Sequence, residues 1–186
     1  MNLLDTQRDN LPAAVHLMGG SMIADKRLLS ALRNSRLVDN LREFEINALT
    51  NLIDVQYFEV KELVVELDDD PLKDALMILV EGEIEVSAMV GNEPVSLHLE
   101  APGDLARVIS FVGGTIMNIS TRIIVKKNSA VLLLQRSKLE TLLHSHPSIV
   151  YCVLRNLVLH VHGVARRKNA EKEEMSDYFY RIHRRY

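Results

Sequence analysis

Apolar residues recur at three- and four-residue spacing through the first third of the chain and then switch to alternation, which predicts helices followed by strands. Leu28, Leu29 and Leu32, then Leu37, Val38 and Leu41, then Leu49, Leu52 and Ile53 carry the helical rhythm, so residues 1–55 read as helical, with breaks at Gly19-Gly20-Ser21 and Asn34-Ser35. From about Val55 the runs become β-branched and aromatic. Gln56–Val60 and Leu63–Leu67 read as strands, the second ended by Asp68-Asp69-Asp70-Pro71. Ala75–Val80 is apolar throughout, whereas in Glu83–Val90 the residues Ile84, Val86 and Ala88 face one way and Glu83, Glu85 and Ser87 the other. A hairpin turn at Gly91-Asn92-Glu93-Pro94 leads to Val95–Leu99, and two further strands follow at Ile119–Val125 and Ser129–Leu134, divided by a turn at Lys126-Lys127-Asn128. About eight short strands at close spacing predict a sandwich or barrel. The chain then returns to helix at Ser137–Leu143, breaks at His146-Pro147, and enters a long helix from Ser148.

In that last helix Val150, Leu154, Leu157, Val161 and Val164 are spaced four, three, four and three apart, an a/d seam widened by Ile149, Val153 and Val158. The apolar surface is broader than one contact with the sheet requires. The pattern therefore predicts a homodimer through Val150, Leu154, Leu157, Val161 and Val164.

Composition narrows the class. In 186 residues, 47% hydrophobic and 25% charged, there is one cysteine, Cys152, so the chain is neither disordered nor disulfide-stapled. No uninterrupted apolar run reaches the ~18 residues of a membrane span, and the N-terminus lacks a basic region followed by an apolar stretch. A soluble, cytoplasmic protein with no membrane span is the expectation. Residues 165–186 sum to +3 and residues 1–164 to −6, with a dense acidic stretch over 59–100 that should repel phosphate. The basic tail, with Tyr178, Phe179, Tyr180 and Ile182 among its charges, has the composition of a protein-partner surface.

The order of elements resembles the cyclic-nucleotide-binding domain, the sensor of catabolite-activator-type regulators and of cyclic-nucleotide-regulated kinases and channels. The likeness covers about residues 37–165 and rests on the Leu-rich helix Leu41–Ile53, on Met77–Val86 around Gly82, on Ala101-Pro102-Gly103-Asp104, on Val131–Leu134, on Leu139–Leu143 and on His146-Pro147-Ser148-Ile149. It implies an α+β fold: a β-roll (jelly-roll, double-stranded β-helix) sandwich flanked by N-terminal helices and a long C-terminal helix. The corresponding division is a helical segment at 1–36, the roll at 37–147, and the C-terminal helix and basic tail at 148–186. Gly82 and Gly103 are expected at sharp turns that need φ > 0.

The resemblance places a phosphate-binding cassette after Pro102-Gly103-Asp104. In the family it resembles F-G-E-L-A followed by P-R-[ST]-A: an Arg neutralises the cyclic phosphate and a Glu accepts from the ribose 2′-OH. Here the Gly falls on Arg107, the Glu on Val108, the Pro on Met117 and the Arg on Asn118. Losing two charge-assisted contacts of about 1.5–3 kcal/mol each removes roughly two to four decades of affinity. Binding of cAMP or cGMP in the usual mode is therefore not expected, and no cofactor is expected. If a small molecule does bind, the candidate contacts are Gly82, Gly103, Asp104, Leu105, Ala106, Arg107, Val108, Asn118, Ser120 and Thr121, with Arg107 as the cation of a rewired pocket.

Other chemistry is thin. A cupin-like metal enzyme needs converging strand histidines, and only His98 falls on a strand; His160 and His162, two apart on a helix, point to different faces. No nucleophile elbow, P-loop or metalloprotease helix is present. A winged helix-turn-helix needs ~50 or more residues beyond the dimer helix, against the short stretch from Arg166 to Tyr186. The expectation is a non-enzymatic, signalling or regulatory module that does not bind DNA. It either senses a small molecule through Arg107 or engages a protein partner through its C-terminal helix and tail.

Overall fold

The computed structural model describes residues 26–61, 63–65, 72, 74–90, 93–113 and 121–183. Helix α1 (Lys26–Asn34), a 3₁₀ turn (Arg36–Val38) and α2 (Glu43–Thr50) precede strands β1 (Ile53–Phe58), β2 (Leu63–Val65), β3 (Ala75–Val90), β4 (Glu93–Leu99) and β5 (Leu105–Ala106). Helix α3 (Val108–Gly113), strand β6 (Thr121–Gln135), α4 (Arg136–Glu140) and α5 (Pro147–His183) complete the chain. The sheet is antiparallel in the order β1-β6-β3-β4, with β2 on β6 and β5 on β3. This is the α+β roll anticipated from the resemblance, with its sheet open rather than closed.

The two long central strands explain the hydropathy pattern. Along Ala75–Val80 and Ala130–Leu134 alternate side chains enter two different cores. Leu76, Ile78, Val80, Ala130, Leu132 and Leu134 pack with the helices. Ala75, Met77, Leu79, Val131 and Leu133 fill the interior of the roll. Buried on both faces, these stretches are apolar without a break. Beyond Gly82 only the inner face stays covered: Ile84, Val86, Ile123 and Val125 are buried. Glu83 and Glu85 turn outward and meet Lys127 and Lys126 at 2.7 and 2.6 Å. Those hydrogen bonds hold both carboxyls below the usual carboxylate range. The acidic stretch is thus partly neutralised across the sheet, and its expected repulsion of phosphate is weaker than the residue tally implies.

Several predicted boundaries move. Ile53 begins β1 instead of closing the preceding helix. The turn expected at Lys126-Lys127-Asn128 is continuous strand, because β3 and β6 stay paired past Gly82 by shifting register between Leu79 and Ile84. In place of about eight short strands the described residues form six, two of them long. Gly82 (φ 101°) is the bend itself: a Cβ there would lie 2.2 Å from the Ser129 hydroxyl and 2.5 Å from the Asn128 carbonyl. Glu93 and Pro94, expected in the hairpin turn, are strand residues paired with Val90 and Met89, and Gly91-Asn92 lies outside the described residues.

Helix α1 and the 3₁₀ turn share the core with the roll through Leu28, Ala31, Leu32, Leu37 and Val38. Helix α5 lies over the same core with Ile149, Val150, Val153 and Leu157, and its buried Asn156 donates to the carbonyls of Leu37 and Asp39 at 3.0 and 2.8 Å. By length and composition Pro147–Arg167 is apolar enough to cross a membrane, with a mean hydropathy of 1.4. The expectation from uninterrupted runs passed over it because Arg155, Asn156, His160 and His162 break the apolar sequence. The helix's inner face, however, is occupied by the core of its own chain.

Candidate functional site

A cavity of about 300 Å³ opens between the far end of the roll and α5. Strands β3 and β4 supply Val86, Ala88, Ser96 and Leu97. The segment from β5 into α3 supplies residues 105–110, β6 supplies Thr121, and α5 closes the wall with His160, Val161, Val164 and Ala165. Apart from Ser96, Arg107, Ser110, Thr121 and His160, the described lining residues are all apolar, and none of them is acidic.

The segment leading into this wall is anchored by backbone. Gly103 N–H donates to the Leu79 carbonyl at 2.8 Å and Leu79 N–H to the Asp104 carbonyl at 2.9 Å. The Asp104 carboxylate accepts from the Glu100 and Ala101 N–H groups at 3.0 and 2.9 Å, so it holds the turn together. Gly103 (φ 100°) packs against the end of α1, where a Cβ would lie 2.8 Å from the backbone of Asn34 and Ser35. Position 107 is left-handed as well, at φ 66°. The resemblance puts Gly there; this chain keeps the backbone geometry with an arginine, at a cost of about 1–2 kcal/mol. The Arg107 side chain is 7% exposed, and its Nη1 donates to Thr121 Oγ1 at 3.2 Å.

The predicted contacts therefore divide. Leu105, Ala106, Arg107, Val108 and Thr121 meet at the cavity. Gly82, Gly103 and Asp104 do not line it; they shape the bend and the turn that present it. Asn118 and Ser120 lie outside the described residues. Val108, in the position of the ribose-binding Glu, is buried and belongs to the helix-side core.

Reasoning from sequence missed the α5 wall. Val161 and Val164, assigned to a dimer seam, line the cavity, and Val150 and Leu157 of the same seam are buried in their own chain's core. Of the predicted seam Leu154 is exposed, while Val161 and Val164, on the cavity wall, are only partly covered. The reason is geometric: α5 carries apolar residues on two adjacent faces, and the roll takes the one containing Val150, Val153 and Leu157. The outward stripe is Tyr151, Leu154, Val158, Val161 and Ala165, spaced three, four, three and four. Tyr151, Leu154 and Val158 in it are 69%, 37% and 60% exposed. The tail, expected to meet a protein partner, has its side chains outside the described residues beyond Arg167.

His160, which sequence spacing set on a different helix face from His162, is half-buried in the cavity wall. Burial lowers its pKa, reinforced by the Arg36 and Arg167 charges and opposed by Asp104. The sign follows by linkage. The unfolded chain, with an ordinary imidazole near 6.5, takes up the proton first, so stability present above that pH is lost as the pH falls toward the lower folded value. The melting temperature of the wild-type chain is expected to fall more between about pH 7.5 and 5.5 than that of His160→Gln. Parallel pH profiles would contradict a buried neutral imidazole. Among the described residues no three His, Cys, Asp or Glu side chains come together as metal ligands, and His98 sits exposed on β4.

No family model and no curated protein matches the chain. Solved structures do. A cyclic nucleotide-binding domain from Methylobacillus flagellatus superposes with a TM-score of 0.62 at 18% identity, covering 78% of this chain and 80% of that one. The catabolite activator protein of Thermus thermophilus gives 0.58 at 19%, covering 76% of this chain and 63% of its own, so the chain spans under two thirds of that protein. The regulatory subunit of a cAMP-independent protein kinase A from Trypanosoma brucei gives 0.55 at 17%, covering 80% and 48%. The fold is that of cyclic-nucleotide-binding domains, as found in regulatory proteins.

Proposed function

We propose that this chain is a non-enzymatic, cytoplasmic regulatory module that retains the ligand cavity of the cyclic-nucleotide-binding fold but not the grip on a cyclic nucleotide. The observation that carries this reading is the replacement of the ribose acceptor by buried Val108 in a cavity with no acidic residue among its described lining. A ribose 2′-OH brought there would face an apolar group and lose its partner, at about 1–3 kcal/mol. The Trypanosoma neighbour, described as cAMP-independent, is a similar roll in a regulatory protein.

The module acts as a homodimer. Its seam is the outer stripe of α5, Tyr151, Leu154, Val158, Val161 and Ala165, whose a/d spacing suits a second copy of the same helix. Because Val161 and Ala165 also line the cavity, occupancy and helix pairing share residues, which gives a ligand a route to the assembly. Thermal-shift measurements test the ligand side: saturating cAMP, cGMP or a cyclic dinucleotide is expected to leave the melting temperature unchanged. A rise of several degrees with cAMP or cGMP would contradict the reading.

A further inference from the structure

Resting on the reading above, we infer that the cavity takes an apolar monocarboxylate, with its head group at Arg107 and Thr121 and its body against Val86, Leu97, Val161 and Val164. The walls set the body. The described lining residues outside the five polar ones are aliphatic, so a ligand gains affinity by burying hydrocarbon and loses it wherever it brings a hydroxyl to Val86, Leu97 or Val164. A sugar is poorly matched to such a surface, and an acyl or aryl group is well matched.

The polar groups set the head. Among the described lining residues Arg107 is the one with a permanent charge, and none is a carboxylate that would favour a cationic ligand. A guanidinium offers five N–H donors in a planar fork that matches a carboxylate, and Nη1 donates to Thr121 Oγ1 at the cavity wall. Thr121, which accepts from Arg107, has an O–H of its own to donate to a carboxylate oxygen. Imidazole protonation is disfavoured at His160, so near neutral pH the cavity's positive charge is concentrated at Arg107. The backbone points the same way: an arginine held at φ 66°, where glycine would be free of strain, places its charge at the cavity wall.

The volume sets the length. At a liquid-water share of ~30 Å³ per molecule, 300 Å³ is the space of about ten waters, which suits a carboxylate with about eight to ten carbons.

Calorimetric titration of the intact chain with octanoate, 1-octanol and cAMP tests this. Octanoate is expected to bind at least about tenfold more tightly than octanol, the scale of one charge-assisted hydrogen bond. Arg107→Gln should remove most of that ratio while leaving octanol affinity within about threefold. The octanoate-to-octanol ratio is read on the unaltered chain, so the inference stands or falls even if the variant does not fold. Equal affinities, or no octanoate heat up to about 5 mM, would overturn the carboxylate assignment. If cAMP is then silent too, the regulatory reading survives alone. If cAMP binds tightly, that reading falls with it.

Discussion

Gly82→Ala is expected to lower the stability of the fold by about 2–5 kcal/mol, the largest single-residue effect foreseen outside the apolar core. Two costs add. A non-glycine residue at the φ of 101° costs about 1–2 kcal/mol, and forcing a methyl into occupied space costs about 1–3 kcal/mol more. The neighbours cannot retreat cheaply. The closest atoms include the Asn128 carbonyl and the Ser129 Cα, which are backbone, and the Ser129 hydroxyl, which accepts from Glu83 N–H at 3.1 Å and donates to the Lys127 carbonyl at 2.6 Å. In a chain of this size each kcal/mol moves the melting temperature by about 2–4 °C, so a drop of roughly 5–20 °C is expected. A shift below about 2 °C would mean that the strand bend at Gly82 tolerates a side chain and that its φ is not fixed by the pairing of β3 and β6.

Val158→Glu is expected to dissociate the proposed dimer while leaving the protomer folded. Val158 is 60% exposed in the single chain, so a carboxylate there meets water in the monomer and costs little. Across a two-fold axis the same substitution sets two like charges in a desolvated seam, at a cost of several kcal/mol, or at least about two to three decades in the dissociation constant. Sedimentation velocity should show a wild-type dimer and a variant monomer, with unchanged far-UV circular dichroism. The counterpart in the seam first read from sequence behaves differently: Leu157→Ala removes a fully buried side chain and is expected to cost about 2–5 kcal/mol of fold stability. A wild-type chain that sediments as a monomer would remove the outer stripe as an interface.

The contrast between Val158 and Leu157 shows where sequence was legible and where it was not. Strand positions were readable because burial on one face or two leaves different patterns. Ala75–Val80 is apolar throughout because it separates two cores, and Glu83–Val90 alternates because one of its faces is wet. A bend inside a strand leaves the same signature as a turn between strands, so Gly82 and Lys126–Asn128 were read as ends of elements that in fact continue. The cassette positions were legible through their resemblance to a known pattern, and Arg107, Val108 and Thr121 do meet. The α5 wall was not, because α5 has adjacent apolar faces and spacing alone does not say which of them the roll covers. His160 was missed for the same reason: its place in the cavity depends on how the helix is rotated over the roll.

The proposed loss of the nucleotide grip makes one quantitative demand. Titrating the purified chain with cAMP by calorimetry is expected to give a dissociation constant weaker than about 100 μM, the consequence of two missing charge-assisted contacts. A constant tighter than that, weakened by Arg107→Gln, would show that Arg107 replaces the missing contacts and that the cavity still holds a cyclic phosphate.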